Sequence, residues 1–508
     1  MELNLLAKKL VDAGYRMAFG ITGSGPSYKL IKALTELGVK YTTVSNEAAA
    51  AVAAGSYSYL YNQKALCISI KGPGFINLLS GITACKFENF DVLCIAEEYD
   101  LEASAMQQHK RINQQQLIKE LTLVQLSLTD CESISQHIEN DPLLPGPKYL
   151  SLSRQDKQTH IQKTRGSILG EAELREKLEI IKKSKYPLLI IGSIIKRLNL
   201  VDVVNNLMLP ILTTVQAKGT VDEHRENSAG VYTGAGNEIV PENTLITNAD
   251  CIITIGLWNE EILGVTKKVD FLNFDLTSTT LTADNTCLID LKQCKEIINQ
   301  LAKKQNWASE IIHNYKLKLK KHITESLWNT GLLFDCINNV KGDFSLVVDT
   351  GFFCTSGEHI FLSNSNRPFI GSSNGRNMGL SVPMTLGISI TKFPTICCFG
   401  DGGIRYHIGD IRTIVELKLP VCFILITDGN YGSVAAYVED KNLNPVITRP
   451  LGTDWHNIMK AMAISSTSVN TLKDFEIALN SWNKKDPFFI QANFEPGAYR
   501  TFTNKIRK

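Results

Sequence analysis

Two aspartates 27 positions apart, Asp401 and Asp428, each stand where a strand-like run gives way to glycine. Thr395 to Phe399 stops at Gly400-Asp401-Gly402-Gly403, and Val421 to Ile426 stops at Thr427-Asp428-Gly429-Asn430. Between them Ile408, Ile411, Val415 and Leu419 recur at helical spacing until Pro420. The order strand, turn, helix, strand sets both carboxylates at the carboxyl ends of parallel strands, where open α/β sheets hold their ligands. Carboxylates so placed suit a hard cation, because Mg²⁺ takes oxygen ligands and shares them between one or two carboxylates and a phosphate group. Gly402, Gly403, Gly429 and Gly432 let backbone N–H groups approach phosphate oxygens, and a helix N-terminus favours the negative charge. One Gly-Asp-Gly triplet is a weak signal; two strand-ending turns in succession are a stronger one.

The elements that must carry these turns are spread over 508 residues, a length for about three domains. With 44% apolar and 20% charged residues the composition is that of a globular protein with a sizeable core. A net charge of +2 gives no footprint for nucleic acid or an anionic membrane, which leaves small-molecule chemistry as the expectation. Leu3, Leu6, Leu10 and Val11 are spaced as a helix rather than a signal peptide, and no apolar run approaches a membrane span. The twelve cysteines lack Cys-x-x-Cys spacing and read as buried, reduced thiols of a cytoplasmic protein.

Residues 1–165 alternate between helix and strand, with strands expected at 16–20, 40–44, 65–70 and 92–96 and helices at 27–37 and 47–60. Residues 155–185 are charged and read as a linker running into a surface helix. A second α/β unit, 186–325, has strands at 187–192, 210–215, 251–256 and 271–275 and ends in a Lys-rich solvated helix. The third, 332–508, adds a strand at 344–348 that ends at Asp349-Thr350-Gly351. The expected class is α/β, with three doubly wound parallel-sheet domains.

The paired turns resemble those of the thiamine diphosphate-dependent enzymes related to acetolactate synthase, pyruvate oxidase and the 2-keto acid decarboxylases. In that family Gly-Asp-Gly is followed at this spacing by an Asn. The resemblance implies Asp401 and Asp428 as side-chain ligands of Mg²⁺ and Asn430 as a carbonyl ligand; Asp428 departs from the family's Asn and adds negative charge beside the diphosphate. It extends to Glu47-Ala48-Ala49-Ala50, where the family's Glu hydrogen-bonds N1′ of the cofactor's aminopyrimidine. It also covers the Gly-rich loop around Gly23 and the Lys71-Gly72-Pro73-Gly74 turn followed by Asn77. Met378 stands where a bulky apolar residue bends the cofactor, and Asp349, Thr350, Gly351, Gly400, Gly402, Gly403, Tyr431, Gly432 and Ser433 become cofactor-binding positions.

The three domains then correspond to a pyrimidine-binding, a middle and a diphosphate-binding domain. The implied activity is that of a carboligase or a decarboxylase acting on a 2-keto acid, with an aldehyde or ketone as acceptor. The implied assembly is a homodimer or a dimer of dimers with sites between chains. FAD in the middle domain is the alternative to an empty domain and is not favoured.

Read without the resemblance, several of these residues stay open. Glu47 also fits a helix-start acid favoured by the dipole. His109, beside Lys110 and Arg111, is either a solvated loop histidine or an acid/base group. His407 either enters the site or flanks a helix. A non-catalytic relative would not need both Glu47 and Asp401, and a nucleotide-binding protein would want a Gly-Lys-Ser/Thr turn that the chain lacks.

Overall fold

A computed structural model of the protein describes residues 2–99, 104, 109–130, 134–139, 144–154, 167–258, 261, 271–276, 286–325, 328–444, 448, 452–495 and 497–507. They form three six-stranded sheets with helices between the strands. The first comprises β1 (Met17–Gly20), β2 (Lys40–Thr43), β3 (Ala65–Ser69), β4 (Val92–Ala96), β5 (Gln125–Ser127) and β6 (Pro147–Ser151), in the order β2-β1-β3-β4-β6-β5. The second comprises β7 (Pro187–Ile191), β8 (Ile211–Thr213), β9 (Ser228–Val231), β10 (Cys251–Ile255), β11 (Phe271–Asp275) and β12 (Thr286–Leu288), in the order β12-β11-β10-β7-β8-β9. The third comprises β13 (Ser345–Val348), β14 (Phe369–Gly371), β15 (Thr395–Gly400), β16 (Val421–Thr427), β17 (Ser465–Val469) and β18 (Phe488–Asn493), in the order β14-β13-β15-β16-β18-β17. Pairing is parallel, as with Cys67 opposite Cys94 and Cys422 opposite Phe488. The α/β class expected from the sequence is the class observed.

β3, β4, β7 and β10 are buried at every position. Continuous apolar runs are what a parallel strand covered on both faces requires. Strands β5, β6, β9, β12, β14, β17 and β18 were not foreseen. The first part of the charged stretch, residues 155–166, lies outside the described residues; the surface helix after it is Glu171–Lys183.

The chain divides into two compact units, Met1–Lys163 with Gly379–Thr395 and Ile404–Val421, and Thr164–Met378 with Ile396–Gly403 and Cys422–Lys508. In the first unit the Glu47–Tyr61 helix is buried from Glu47 through Tyr59. Six of its first eight residues are alanine, so neighbouring backbones come close: a Cβ on Gly81 would collide with the Ala48 carbonyl, and one on Gly387 with the Ala53 carbonyl. Tyr61 Oη donates to the Ile388 carbonyl at 2.6 Å and fixes the Ser381–Ser389 helix alongside.

The second unit holds the second and third sheets; its core runs from Val215 and Val231 through Phe334 and Phe361 to Ile490 and Phe502. No helix among the described residues is long and apolar enough to cross a membrane. The cysteines among the described residues are free thiols.

Candidate functional site

In the third sheet β13 and β15 are neighbours, but the chain leaves them towards opposite edges, β14 on one side and β16 on the other. That reversal opens a crevice at the carboxyl ends of the strands. Asp349 follows β13, Asp401 follows β15 and Asp428 follows β16, all three buried. The turns come close together: a Cβ on Gly403 would meet Asp349 Oδ2, and one on Gly402 would meet Met378 Sδ. Thr350 donates its amide to Asp349 Oδ1 at 2.7 Å and its hydroxyl to the Asn377 carbonyl at 3.2 Å, which ties Asp349-Thr350-Gly351 to the segment before Met378.

Asp401 is 9% exposed, and its Oδ1 accepts from Thr427 Oγ1 at 2.6 Å. Asp428 is 7% exposed, and its carboxylate accepts from the amides of Asn430 (3.1 Å) and Gly497 (3.3 Å). Burial pushes the Asp428 carboxyl up to about 6; the two amides pull it back, and the charge of Asp401 adds to the rise. Tyr499 is buried nearby, and its hydroxyl finds no hydrogen-bond partner among the described residues. Burial, then the charges of Asp428 and Asp401, raise that hydroxyl well above the usual phenol range.

Asp428, Asn430, Gly432 and Tyr499 line a cavity of about 90 Å³. Two nine-residue helices begin at these turns, Phe352–Ile360 after Gly351 and Gly432–Asp440 after Tyr431, and neither start is closed by a side-chain cap. Their first amides are therefore open to an anion. Ser433 and Gly429 are exposed, the latter at φ +74°.

Behind the crevice lies a buried ionic group that the sequence reading missed. Glu358 Oε1 accepts from Arg376 at 2.6 Å, and Oε2 accepts from Arg507. Burial alone would raise Glu358, but the two guanidinium groups overrule it and hold the carboxyl down at about 2. Arg376 has a left-handed backbone, φ +49°, two residues before Met378. Tyr499 and Gly497 were not named singly as site residues; the Pro496-Gly497 pair in the tail was the available signal.

The first unit gathers a second set. Asn46 caps the Glu47–Tyr61 helix, its Oδ1 accepting from the Ala48 amide at 2.8 Å. Glu47, 6% exposed, accepts from Asn77 Nδ2 on Oε2 at 3.1 Å, and a Cβ on Gly74 would stand 2.9 Å from Oε1. Glu47, Gly74 and Asn77 are thus brought together. Gly23 packs against Ile70, with 2.9 Å between its would-be Cβ and Ile70 Cγ2.

His109 is exposed, and its carbonyl accepts from the Tyr99 hydroxyl. His407 flanks the Ile408–Glu416 helix, Nδ1 being 3.1 Å from Asp410 Oδ2, while Asp410 Oδ1 accepts from the Ser45 amide. Glu97, buried just after β4, was not foreseen either; it accepts from the Ser27 amide and hydroxyl at 2.9 and 2.6 Å.

The second sheet also carries a buried carboxyl at its strand ends, Glu261. At the end of β7 the Ser193 amide donates to Glu261, and the Thr214 hydroxyl after β8 does the same at 2.9 Å. Burial lifts Glu261 to about 7 against these bonds. A carboxyl of the chain itself joins the turns after β7 and β8.

Residues 3–117 match the thiamine pyrophosphate enzyme N-terminal TPP binding domain, residues 174–290 its central domain and residues 349–492 its C-terminal TPP binding domain. The chain belongs to the thiamine diphosphate enzyme family. Its relatives are distant. A Bacillus subtilis (strain 168) protein, YdaP, named as thiamine pyrophosphate-containing, is 22% identical over 449 residues, covering 82% of this chain and 78% of its own. An acetolactate synthase of the same organism is 21% identical over 486 residues (85% and 82%). A 2-hydroxyacyl-CoA lyase of Arabidopsis thaliana is 20% identical over 556 residues (97% and 95%).

Proposed function

We propose that this family member is a thiamine diphosphate- and Mg²⁺-dependent enzyme that decarboxylates a 2-keto acid and joins the product to an aldehyde or ketone. The observation that carries the reading is the buried pair Asp401 and Asp428 on consecutive strand-end turns, with Asp428 pushed up to about 6. Asp428 carries the cost of a buried negative charge, seen in its raised carboxyl, and a divalent cation is the fitting partner. No three His, Cys, Asp or Glu gather into a metal group among the described residues. A cation would therefore complete its shell with the Asn430 carbonyl, phosphate oxygens and water, the habit of Mg²⁺.

The donor set fits the cofactor: hard oxygens for the metal, uncapped helix starts after Gly351 and Tyr431 for the diphosphate, and glycines at 400, 402, 403 and 432 beside it. Met378, 39% exposed against Gly402, is an apolar support at the same turn. When bound, thiamine diphosphate supplies the nucleophilic carbon and the electron sink for reaction at a 2-keto group. Glu47 then holds or releases a proton at the aminopyrimidine N1′, with Asn77 fixing Oε2 and Gly74 leaving Oε1 uncovered. His109 is a proton carrier towards substrate in this reading.

The domain division 1–165, 186–325 and 332–508, and a site completed between two copies of the chain, belong to the same proposal. The match to a 2-hydroxyacyl-CoA lyase over 97% of the chain favours a second reading, cleavage of the corresponding carbon–carbon bond rather than its formation.

The test is to incubate purified protein with thiamine diphosphate, Mg²⁺ and a panel of 2-keto acids, with and without aldehyde acceptors, and to follow CO₂ and products. A parallel arm carries a 2-hydroxyacyl-CoA. Cofactor-dependent CO₂ release with a condensed product is expected; cleavage in the thioester arm alone would replace the first reading with the second, and silence in both would end both.

A further inference from the structure

In the second unit, at the end of the Phe352–Ile360 helix opposite Gly351, lies a cavity of about 330 Å³, within the size range of small-molecule sites. Its apolar walls are mostly branched aliphatics, among them Ile239, Val240, Ile312, Leu319 and Ile360, with the phenol ring of Tyr315 also in the lining. Such walls suit an alkyl body better than a stacked ring. Glu223 lines the same cavity and is 4% exposed.

Its Oε2 is engaged by Lys218 Nζ and by the Ser363 amide at 2.8 Å, whereas Oε1 has no hydrogen-bond partner among the described residues. A buried carboxylate oxygen without a donor is costly and calls for one. Of the basic groups at the cavity, Lys320 pairs with Asp335 at 2.8 Å and His224 with Asp222 at 2.8 Å, while Lys316 donates to the Arg225 carbonyl at 3.1 Å. None of these bonds reaches Glu223 Oε1.

We propose that this cavity is a binding site for a small aliphatic molecule carrying a hydrogen-bond-donating head, a primary amine or a hydroxyl, that donates to Glu223 Oε1 while its chain lies on the branched walls. The site is separate from the strand-end turns and does not depend on the activity proposed for them.

Calorimetric titration of the full-length chain with octylamine, octan-1-ol and 1-methoxyheptane tests it, the three probes having the same number of heavy atoms. At least one donor-headed probe should bind about tenfold or more tighter than the ether, the range set by one hydrogen bond to a charged group. Amine alone or alcohol alone identifies the head. Glu223→Gln should erase that preference, and Leu319→Trp, which fills the cavity, should abolish binding. Ile239→Trp repeats the filling test if circular dichroism shows Leu319→Trp unfolded. Failure of all three probes to bind, ether binding equal to both donors, or binding that survives the filled cavity would overturn the proposal.

Discussion

The first and third sheets share one strand order and put it to different chemical use. Each runs second, first, third, fourth, sixth, fifth, and each opens its crevice between its first and third strands. In the third sheet the strands themselves end in acids, and glycines press the turns together until Asp349, Asp401 and Asp428 are buried. In the first sheet β4 also ends in a buried acid, Glu97, but Ser27 takes up its carboxylate, and a second acid, Glu47, starts a capped helix with Asn77 and Gly74 around it. Topology supplies a crevice; whether it grips charge or handles a proton depends on which element carries the acid and how it is held.

The sharpest way to break this division is Glu47→Gln. Turnover should fall by about 10²–10⁴-fold, the worth of a positioned proton carrier, while cofactor affinity, read by fluorescence titration, stays within a few-fold. Loss of binding as well would mean that both sheets grip. The complementary change, Asp401→Asn, should weaken Mg²⁺-dependent cofactor binding by more than the ~100-fold that a partner behind a metal ligand is worth. Isothermal titration at fixed metal measures it, and unchanged affinity would remove the third sheet from its assigned role.

Glu358→Gln tests the support behind the third sheet. Leaving two guanidinium groups without their buried carboxylate should cost on the order of 3 kcal/mol, seen as a lower denaturation midpoint. The pH dependence has a definite sign. Glu358 is depressed from the ordinary carboxyl value to about 2, so its stabilisation is present above about 4.5 and is lost as pH falls through about 2. The variant should lack that part of the acid limb. The smallest expected effect is on the first sheet's side: Gly387→Ala forces a methyl into the Ala53 carbonyl and should cost about 1–3 kcal/mol, read as a thermal shift.

What could be read in the sequence follows burial. Strand β4 is apolar throughout and was expected with its observed ends, 92–96, because a strand covered on both faces needs no alternation. Strand β17, Ser-Ser-Thr-Ser-Val, is half exposed at a sheet edge and carries no such signature, and β9 is interrupted by Gly230 at φ +86°. Asp401 and Asp428 were legible because glycine turns punctuate the strands that carry them. The Gly497 amide on Asp428, and the bond from Arg507 to Glu358, were not: each joins residues far apart in sequence, 69 positions in the first case. Local spacing cannot encode such contacts. His407 shows the opposite limit, since a histidine's type announces chemistry whether or not its surroundings provide any; it pairs with Asp410 at a helix start.

The helix that begins at Glu47 touches its neighbours backbone to backbone, at Ala48 against Gly81 and Ala53 against Gly387. Contacts of that kind have no rotamers to adjust, so the carboxylate at its tip is held by a stiff rod rather than a cushion. Natural variation among such proteins therefore has little room to retune this acid by shifting it. Diversity of reaction must come from what is presented to a fixed point, through loops and acceptors that can be exchanged without disturbing the rod.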